Sequence, residues 1–206
     1  LTVAEPYLFA RSLEPPYPAD LRFYPRLEYR CYDTGEITTH PALVAAVREV
    51  SGVLRGIQRT WLPPGGGKAL LADPRRSLGH LHGNGVWLRH DDPQQPSGTL
   101  VVGEGVETLL SLRDAIPAAA LVAALSASHL AAFILSSRVH HLLIARDNDP
   151  AGIRAARKLA ARAEALGISV RILRPVLKDF NTDLRLLGRE VLIATLQRQR
   201  LERLAA

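Results

Sequence analysis

The sequence predicts an α/β fold, a parallel sheet with helices on both faces, preceded by a smaller α+β unit with antiparallel strands. From Thr99 onward, short apolar runs alternate with helical patterns over short connections, an order that favours a covered parallel sheet. Before about residue 95, strand-like runs are separated by turn residues, which indicates antiparallel pairing. We therefore expect an α+β unit over residues 1–95, an α/β unit over 96–188 and a last helix over 189–206.

The first unit is expected to begin with a short helix and to continue as strands. A helix is predicted over residues 6–13, and the prolines within residues 14–18 end it. Apolar runs bounded by turn residues predict strands over 21–24, 41–48, 53–61, 78–81 and 85–88. The Ser51-Gly52 turn joins two of these strands into a hairpin. The polar segment 91–98 is typical of a linker or a surface loop.

The second unit alternates strand and helix along its length. Strands are predicted over residues 99–102, 118–124, 140–145 and 169–173, and helices over 104–115, 128–135, 150–166 and 189–204. Gly167 follows the longest helical pattern, as expected at the end of a helix. Residues 178–183 are polar, and we interpret them as a loop before the last helix.

Two acidic stretches follow two of the predicted parallel strands. Glu104 stands between two glycines after the first strand, and Asp147 and Asp149 follow the strand that ends at Ala145. Because the carboxyl ends of parallel strands share one edge of the sheet, where ligands bind, we expect these three carboxylates to lie together. They would repel one another unless a cation lay among them. The sequence therefore predicts a site for Mg²⁺, with Mn²⁺ as the alternative, and phosphate chemistry.

Each of these acidic residues also has a purely structural interpretation. Glu104 suits the first turn of a helix, where the helix dipole favours a carboxylate. Asp149 suits the N-cap of the following helix. Capping explains Asp149 but leaves Asp147 unexplained, so the metal interpretation is preferred.

Three further polar residues are candidates for the same edge of the sheet. Asp179, after the last strand, would either complete the cation site or cap the loop before the last helix, and Lys178 would contact a phosphate. Glu107, three residues after Glu104, would either support the metal site or simply belong to a capped helix start. The second interpretation of Glu107 is preferred.

The chain is basic overall, which suits an anionic partner. It has 26 Lys and Arg against 20 Asp and Glu, a formal net charge of +6, and 47% hydrophobic residues, which is ordinary for a protein that buries a core. A basic protein with an acidic cluster indicates a nucleic acid held near a metal, and solubility alone is the alternative. In the first unit, the basic side chains predicted to bind nucleic acid are Arg55, Arg59, Lys68, Arg75 and Arg76. The Gly65-Gly66-Gly67-Lys68 loop lacks the spacing of a phosphate-binding loop.

Cysteine content and apolar run length exclude several classes of protein. The single cysteine, Cys31, excludes a disulfide within the chain and a cysteine zinc site. The sequence shows no secretory signal and no apolar run of transmembrane length, so a cytoplasmic protein without a membrane partner is expected. Because the chain contains no Met, even at position 1, we interpret it as a piece of a longer polypeptide.

These motifs resemble those of the toprim domain, a Rossmann-like fold shared by bacterial primases, topoisomerases and some nucleases. Residues 102–108 resemble the glutamate motif of primases, and residues 144–152 resemble the aspartate motif of the family. Residues 178–181 are similar to the Lys-Asp-aromatic-Asn signature of plasmid and phage primases. Residues 7–11 resemble the Tyr-Leu-x-x-Arg that opens the subdomain before toprim in these enzymes.

The resemblance implies the catalytic core of a plasmid- or phage-type bacterial DNA primase. Such an enzyme would synthesise RNA primers from ribonucleoside triphosphates on a single-stranded DNA template, with a helicase or other domains of a longer parent protein as partners. Glu104, Asp147 and Asp149 would be catalytic and, with Asp179, would bind the metal. The alternatives are a toprim nuclease and a non-catalytic nucleic-acid-binding module. A topoisomerase is disfavoured, because it would need a further domain with a nucleophilic tyrosine.

Overall fold

The computed structural model describes residues 4–63 and 71–201, which form two sheets, as the sequence predicts. A four-stranded antiparallel sheet comes first, with strand order β1-β2-β3-β4. Its strands are Leu21–Arg30 (β1), Ile37–Arg48 (β2), Leu54–Trp61 (β3) and Arg75–Gly79 (β4), and a short helix, Ala4–Phe9 (α1), precedes them.

The second sheet has five strands in the order β5-β7-β6-β8-β9. These are Val86–Arg89 (β5), Thr99–Gly103 (β6), Ala120–Ala123 (β7), His141–Ala145 (β8) and Ser169–Leu173 (β9). All neighbouring pairs are parallel except β5 and β7. The helices are Val106–Leu112 (α2), Ala127–Ala132 (α3), Pro150–Ala165 (α4), Phe180–Leu187 (α5) and Arg189–Leu201 (α6). Over the residues described, no helix combines the length and apolar character needed to cross a bilayer.

Apolar side chains of the parallel sheet alternate between its two faces, so that each face packs against different helices. Val101 packs in one core with Leu109 of α2 and Phe180 of α5, whereas Val102 packs in the other with Leu159 of α4. The predicted covering of both faces is confirmed. The core on the α2 side continues into α1 and β2, so the two units share one hydrophobic core.

Two elements differ from the prediction because their partners are distant in sequence. Strand β5, expected in the first unit, hydrogen-bonds to β7 and belongs to the second sheet. Strand alternation indicates which side chains are buried but not which strand lies alongside. Residues 178–183 are interpreted from the sequence as a loop, but residues 180–183 are the first part of α5, because Asp179 caps the helix and Phe180 is fully buried. Two helical turns are too short to give a clear periodic signal.

Helix α5 fixes the loop that follows β9. The carboxylate of Asp183 is 1% exposed and accepts hydrogen bonds from the N–H groups of Val176 and Leu177, both at 2.7 Å. The Asp179 carboxylate accepts a hydrogen bond at the start of the same helix. These bonds hold Lys178 and Asp179 at the carboxyl edge of the parallel sheet.

We expect Phe180→Ala to lower the free energy of unfolding by about 3–5 kcal/mol, because it leaves a cavity in the shared core. Urea denaturation followed by circular dichroism measures the change. Leu186→Ala in the same helix is the control, because Leu186 is 69% exposed and its truncation should stay within about 0.5 kcal/mol. Equal losses for the two variants would contradict the burial of Phe180.

Candidate functional site

The candidate site lies at the carboxyl edge of the parallel sheet. Strands β6 and β8 are hydrogen-bonded neighbours, and Gly103 is paired with Ala145 at their ends. Glu104 directly follows one strand, and Asp147 lies two residues beyond the end of the other. Residues about forty positions apart are thereby brought to one edge of the sheet.

Glu104 and Asp147 approach each other over Gly152, which lies in the first turn of α4. A Cβ added to Gly152 would lie 2.7 Å from Oε1 of Glu104 and 2.9 Å from the backbone oxygen of Asp147. Only glycine leaves room for this approach. Asp149 caps the same helix, since its Oδ1 accepts a hydrogen bond from the Gly152 N–H at 2.8 Å. The three predicted carboxylate residues therefore surround the start of α4.

Burial and the charges of nearby carboxylates raise the pKa of two of these carboxyl groups. Burial, reinforced by the negative charges of Asp147 and Asp149, raises the pKa of Glu104 to about 7. Burial, with the charges of Asp179 and Asp149, raises the pKa of Asp147 to about 6, while Lys178 acts in the opposite direction. Carboxyl groups whose pKa is raised by burial and by each other are common at functional sites.

Two of the carboxylate oxygens have no hydrogen-bond partner. Oε1 of Glu104 and Oδ1 of Asp147 are both buried and unpaired, an arrangement that costs free energy in a protein interior. A hard divalent cation such as Mg²⁺ binds oxygens of this kind, so these residues fit such an ion. Among the residues described, no group of three or more His, Cys, Asp or Glu side chains is arranged so that it could hold a metal ion. Asp149 and Asp179 each use one oxygen to cap a helix and keep a second oxygen.

Hydrogen bonds hold the loop that carries Asp147, some within the loop and some to the segment after β9. The Arg146 guanidinium donates hydrogen bonds to the backbone oxygen of Asp147, at 3.1 Å, and to Oδ1 of Asn148, at 3.0 Å. The backbone N–H of Asn148 donates to the Lys178 carbonyl at 2.7 Å, and its side-chain amide donates to the Leu177 carbonyl at 2.9 Å. Sequence reasoning missed this role of Arg146, which no motif spacing indicates.

Two of the arginines predicted to bind nucleic acid already contact other side chains of the first unit. Arg55 is exposed and forms an ion pair with Glu49. Arg76 lies over the rings of Tyr29 and Tyr32, about 4 Å from each ring centre, and donates a hydrogen bond to the Tyr29 hydroxyl at 2.7 Å. The Arg76 side chain is only 11% exposed, so much of its guanidinium is engaged within the protein.

The remaining predicted basic residues occupy different surroundings. Arg59 extends over the ring of Trp61, and its Nε is buried without a partner. Arg75 forms an ion pair at 2.8 Å with Glu107. Lys178 acts on the pKa of Asp147 and therefore lies near the carboxylates. Lys68 and the glycine-rich loop before it lie outside the described residues. A role for these residues in nucleic-acid binding stays a prediction.

Sequence reasoning also missed a partly buried network that joins the two units. Glu107, interpreted as part of a capped helix start, accepts a hydrogen bond from the Tyr7 hydroxyl at 2.6 Å and another from Arg75 at 2.8 Å. Burial opposes ionisation, but the charge of Arg75 and the hydrogen bond from Tyr7 hold the pKa of Glu107 below its usual value. The guanidinium of Arg11 lies 3.7 Å from the Tyr7 ring centre. The Tyr-Leu-x-x-Arg pattern, which contains Tyr7 and Arg11, is the one feature of the sequence that could have pointed to this network.

Comparison with protein families finds two matches, which together cover most of the chain. Residues 99–190 match the family model of the toprim domain. Residues 1–88 match a domain of unknown function (DUF7146). A comparison with curated protein sequences finds no match.

Several solved primase structures share the fold. The DnaG primase catalytic domain bound to ssDNA matches with a TM-score of 0.64 at 18% identity, over 96% of this chain and 74% of that one. The E. coli primase catalytic core matches with a TM-score of 0.59 at 18% identity, over 95% and 72%. The RNA polymerase domain of Mycobacterium tuberculosis primase DnaG, in complex with double-stranded DNA, matches with a TM-score of 0.59 at 17% identity, over 95% and 73%. At these identities the likeness shows the fold, and the predicted fold class and toprim resemblance are confirmed.

We expect the protein without divalent cations to lose stability as the pH rises from about 4.5 to 7. The ordinary pKa of a glutamate is 4.5, and that of Glu104 is about 7, so in this range the folded state holds more protons than the unfolded state. Stability is therefore highest below the lower value and falls as the pH rises through the upper one. Glu104→Gln should flatten this slope and raise Tm at pH 8, as measured by thermal unfolding in EDTA. Glu164→Gln, on the exposed side of α4, is the control, and identical slopes in all three proteins would contradict the assignment.

Gly152→Ala should displace the Glu104 carboxylate, since the added Cβ would lie within 3 Å of Oε1 and of the Asp147 backbone. We expect Mn²⁺ binding, measured by isothermal titration calorimetry, to weaken by about tenfold or more. Ala151→Ser, at the exposed preceding position, should bind as the wild type does. If Gly152→Ala bound Mn²⁺ with the affinity of the wild type, the close approach of Glu104 and Asp147 at this glycine would not matter for metal binding.

Proposed function

With residues 99–190 identified as a toprim domain, we propose that the chain is the catalytic core of a DNA primase. It would join ribonucleoside triphosphates into short RNA primers on a single-stranded DNA template. One observation carries the proposal: Glu104 and Asp147, each with a buried carboxylate oxygen that has no partner, both lie at the carboxyl edge of the parallel sheet. The likeness to primase cores over nearly the whole chain favours this reaction among those that toprim enzymes perform.

The carboxylates would hold Mg²⁺, or Mn²⁺ in its place. Glu104, Asp147 and Asp149 are the proposed ligands, with Asp179 completing the set. When bound, the cation would supply positive charge to the reacting phosphate and lower the pKa of the attacking hydroxyl. The raised pKa of Glu104 would let its carboxyl group hold or release a proton near neutral pH, as a general acid or base requires.

The basic side chains would bind the template and the incoming nucleotide. Lys178 lies beside the carboxylates and would contact a nucleotide phosphate. Arg55 and Arg59, on β3, would contact the template backbone, and binding should therefore weaken steeply with salt. Lys68, Arg75 and Arg76 are proposed to add to this surface, although the last two already make contacts within the protein.

We place this activity in plasmid or phage replication, in the cytoplasm, where the DNA template lies. The support is the likeness of Lys178-Asp179-Phe180-Asn181 to the signature of plasmid and phage primases. A helicase, or other domains of a longer parent protein, would be the partner that delivers the template.

Primer synthesis on a single-stranded oligonucleotide, with labelled ribonucleotides and Mg²⁺, tests the proposal. We expect short RNA products that EDTA abolishes, and activity lower by at least about 100-fold in Asp149→Ala and Asp147→Asn, because each removes charge that stabilises the reacting phosphate. Asp33→Asn, at an exposed position of the first unit, is the control. Full activity of Asp149→Ala would contradict the metal assignment.

Two other outcomes distinguish the alternative functions. Mg²⁺-dependent degradation of a labelled strand, without synthesis, would support a toprim nuclease, because the same carboxylates can serve phosphodiester hydrolysis. Salt-sensitive binding that survives both aspartate substitutions, without turnover by the wild type, would support a non-catalytic nucleic-acid-binding module. Either outcome would replace the primase proposal.

A further inference from the structure

We propose that Tyr7, Arg75 and Glu107 form a latch through which the first unit positions Glu104. The proposal rests on the proposed function, because it takes Glu104 as the residue whose position matters. None of the three latch residues would contact the reacting atoms, so they are positioning residues. The latch would make the cation site of the toprim domain depend on a domain that lies outside it in sequence.

The latch is a short, partly buried and charge-assisted contact. The Tyr7 hydroxyl and Nη2 of Arg75 both donate to Oε1 of Glu107, at 2.6 Å and 2.8 Å. Tyr7 is 1% exposed and the Glu107 side chain 16%, whereas the Arg75 side chain is 41% exposed. Water therefore competes weakly for the hydrogen bond from Tyr7, and such bonds are stronger away from water. Arg11 stacks on the Tyr7 ring and holds it in place.

The start of α2 has no side-chain cap, and the latch contacts hold it from outside the helix. The N-cap of α2 is Gly105, which has no side chain to satisfy the free backbone N–H groups of the first turn. Glu107 lies in that first turn, and Glu104 immediately precedes the N-cap. On the other side, the Glu104 carbonyl accepts a hydrogen bond from the Leu125 N–H at 2.7 Å. The segment that carries Glu104 is thus held by the residues that follow β7 on one side and by the first unit on the other.

A second contact joins the same elements and supports this interpretation. The side-chain amide of Asn181 donates hydrogen bonds to the Arg11 carbonyl at 2.9 Å and to Oγ of Ser111, in α2, at 3.0 Å. Two sequence motifs, one at each end of the chain, therefore meet at α2. Their joint task is to set the position of this helix relative to the first unit, and with it the position of Glu104.

Amide hydrogen exchange in the absence of metal tests the latch directly. Tyr7→Phe keeps the buried ring and the stacking of Arg11 but removes the hydroxyl donor, and Glu107→Gln keeps an acceptor but removes its charge. We expect exchange over residues 103–108 to be about tenfold faster in each variant, because a partly buried, charge-assisted hydrogen bond is lost or weakened. Exchange in α4 should not change. The effect of the double variant should be smaller than the sum of the two single effects, because both substitutions act on the hydrogen bond between Tyr7 and Glu107.

Direct Mn²⁺ binding, measured by electron paramagnetic resonance, is the second measurement. We expect the affinity to fall several-fold in Tyr7→Phe and Glu107→Gln, and to be largely kept in Arg75→Lys, which retains a single positive donor. Tyr17→Phe is the matched control, because the Tyr17 hydroxyl donates to the Leu13 carbonyl at 3.0 Å in the same N-terminal segment. Should Glu107→Gln fail to fold, Tyr7→Phe decides the question.

A lower Tm with unchanged exchange over residues 103–108 and unchanged Mn²⁺ affinity would show that the network only stabilises the fold, and would overturn the proposal. Different measurements test the latch and the proposed function, so that either proposal can be wrong without the other. Absence of primer synthesis by the wild type would overturn the primase proposal, whereas hydrogen exchange decides the latch without any turnover.

Discussion

Repulsion between two half-buried carboxylates, each with one buried oxygen, is the constraint on which the rest of the candidate site depends. Parallel pairing of β6 with β8 brings Glu104 and Asp147 to the same edge of the sheet, and burial leaves an oxygen of each without a partner. The surroundings maintain this unfavourable arrangement. Gly152 leaves the space for it, and Arg146 ties down the loop that carries one of the two carboxylates. A protein that retains such a cost usually does so for function.

The two units of the chain depend on each other. Their apolar side chains form one core, and the latch connects the first unit to the helix that follows Glu104. A toprim domain whose helix α2 begins with an uncapped glycine would, by itself, hold this segment loosely. The first unit therefore has two tasks under the proposed function, which are to present a basic surface to the template and to fix the geometry of the site.

The fold alone does not decide the reaction, because toprim domains occur in enzymes with different activities. The primase proposal rests instead on the site together with the extent of the likeness. The carboxylates supply the charge that phosphoryl transfer requires, and the shared fold includes the antiparallel unit as well as the toprim domain. Arg55 and Arg75 form ion pairs with Glu49 and Glu107. The number of basic residues therefore overstates the positive charge that is available to a nucleic acid, because part of that charge is neutralised within the protein.

The sequence by itself determined the alternation of strands and helices and the placement of Glu104 and Asp147 at strand ends. Both are local properties, set by the length of an apolar run and by the residue that follows it. The sheet to which β5 belongs, the existence of α5 and the partner of Glu107 were decided only by the tertiary structure. Each of these depends on contacts between distant residues, as with Tyr7 and Glu107, which are 100 positions apart. Local patterns carry no information about such pairs, because the free energy that selects them arises only when the chain is packed.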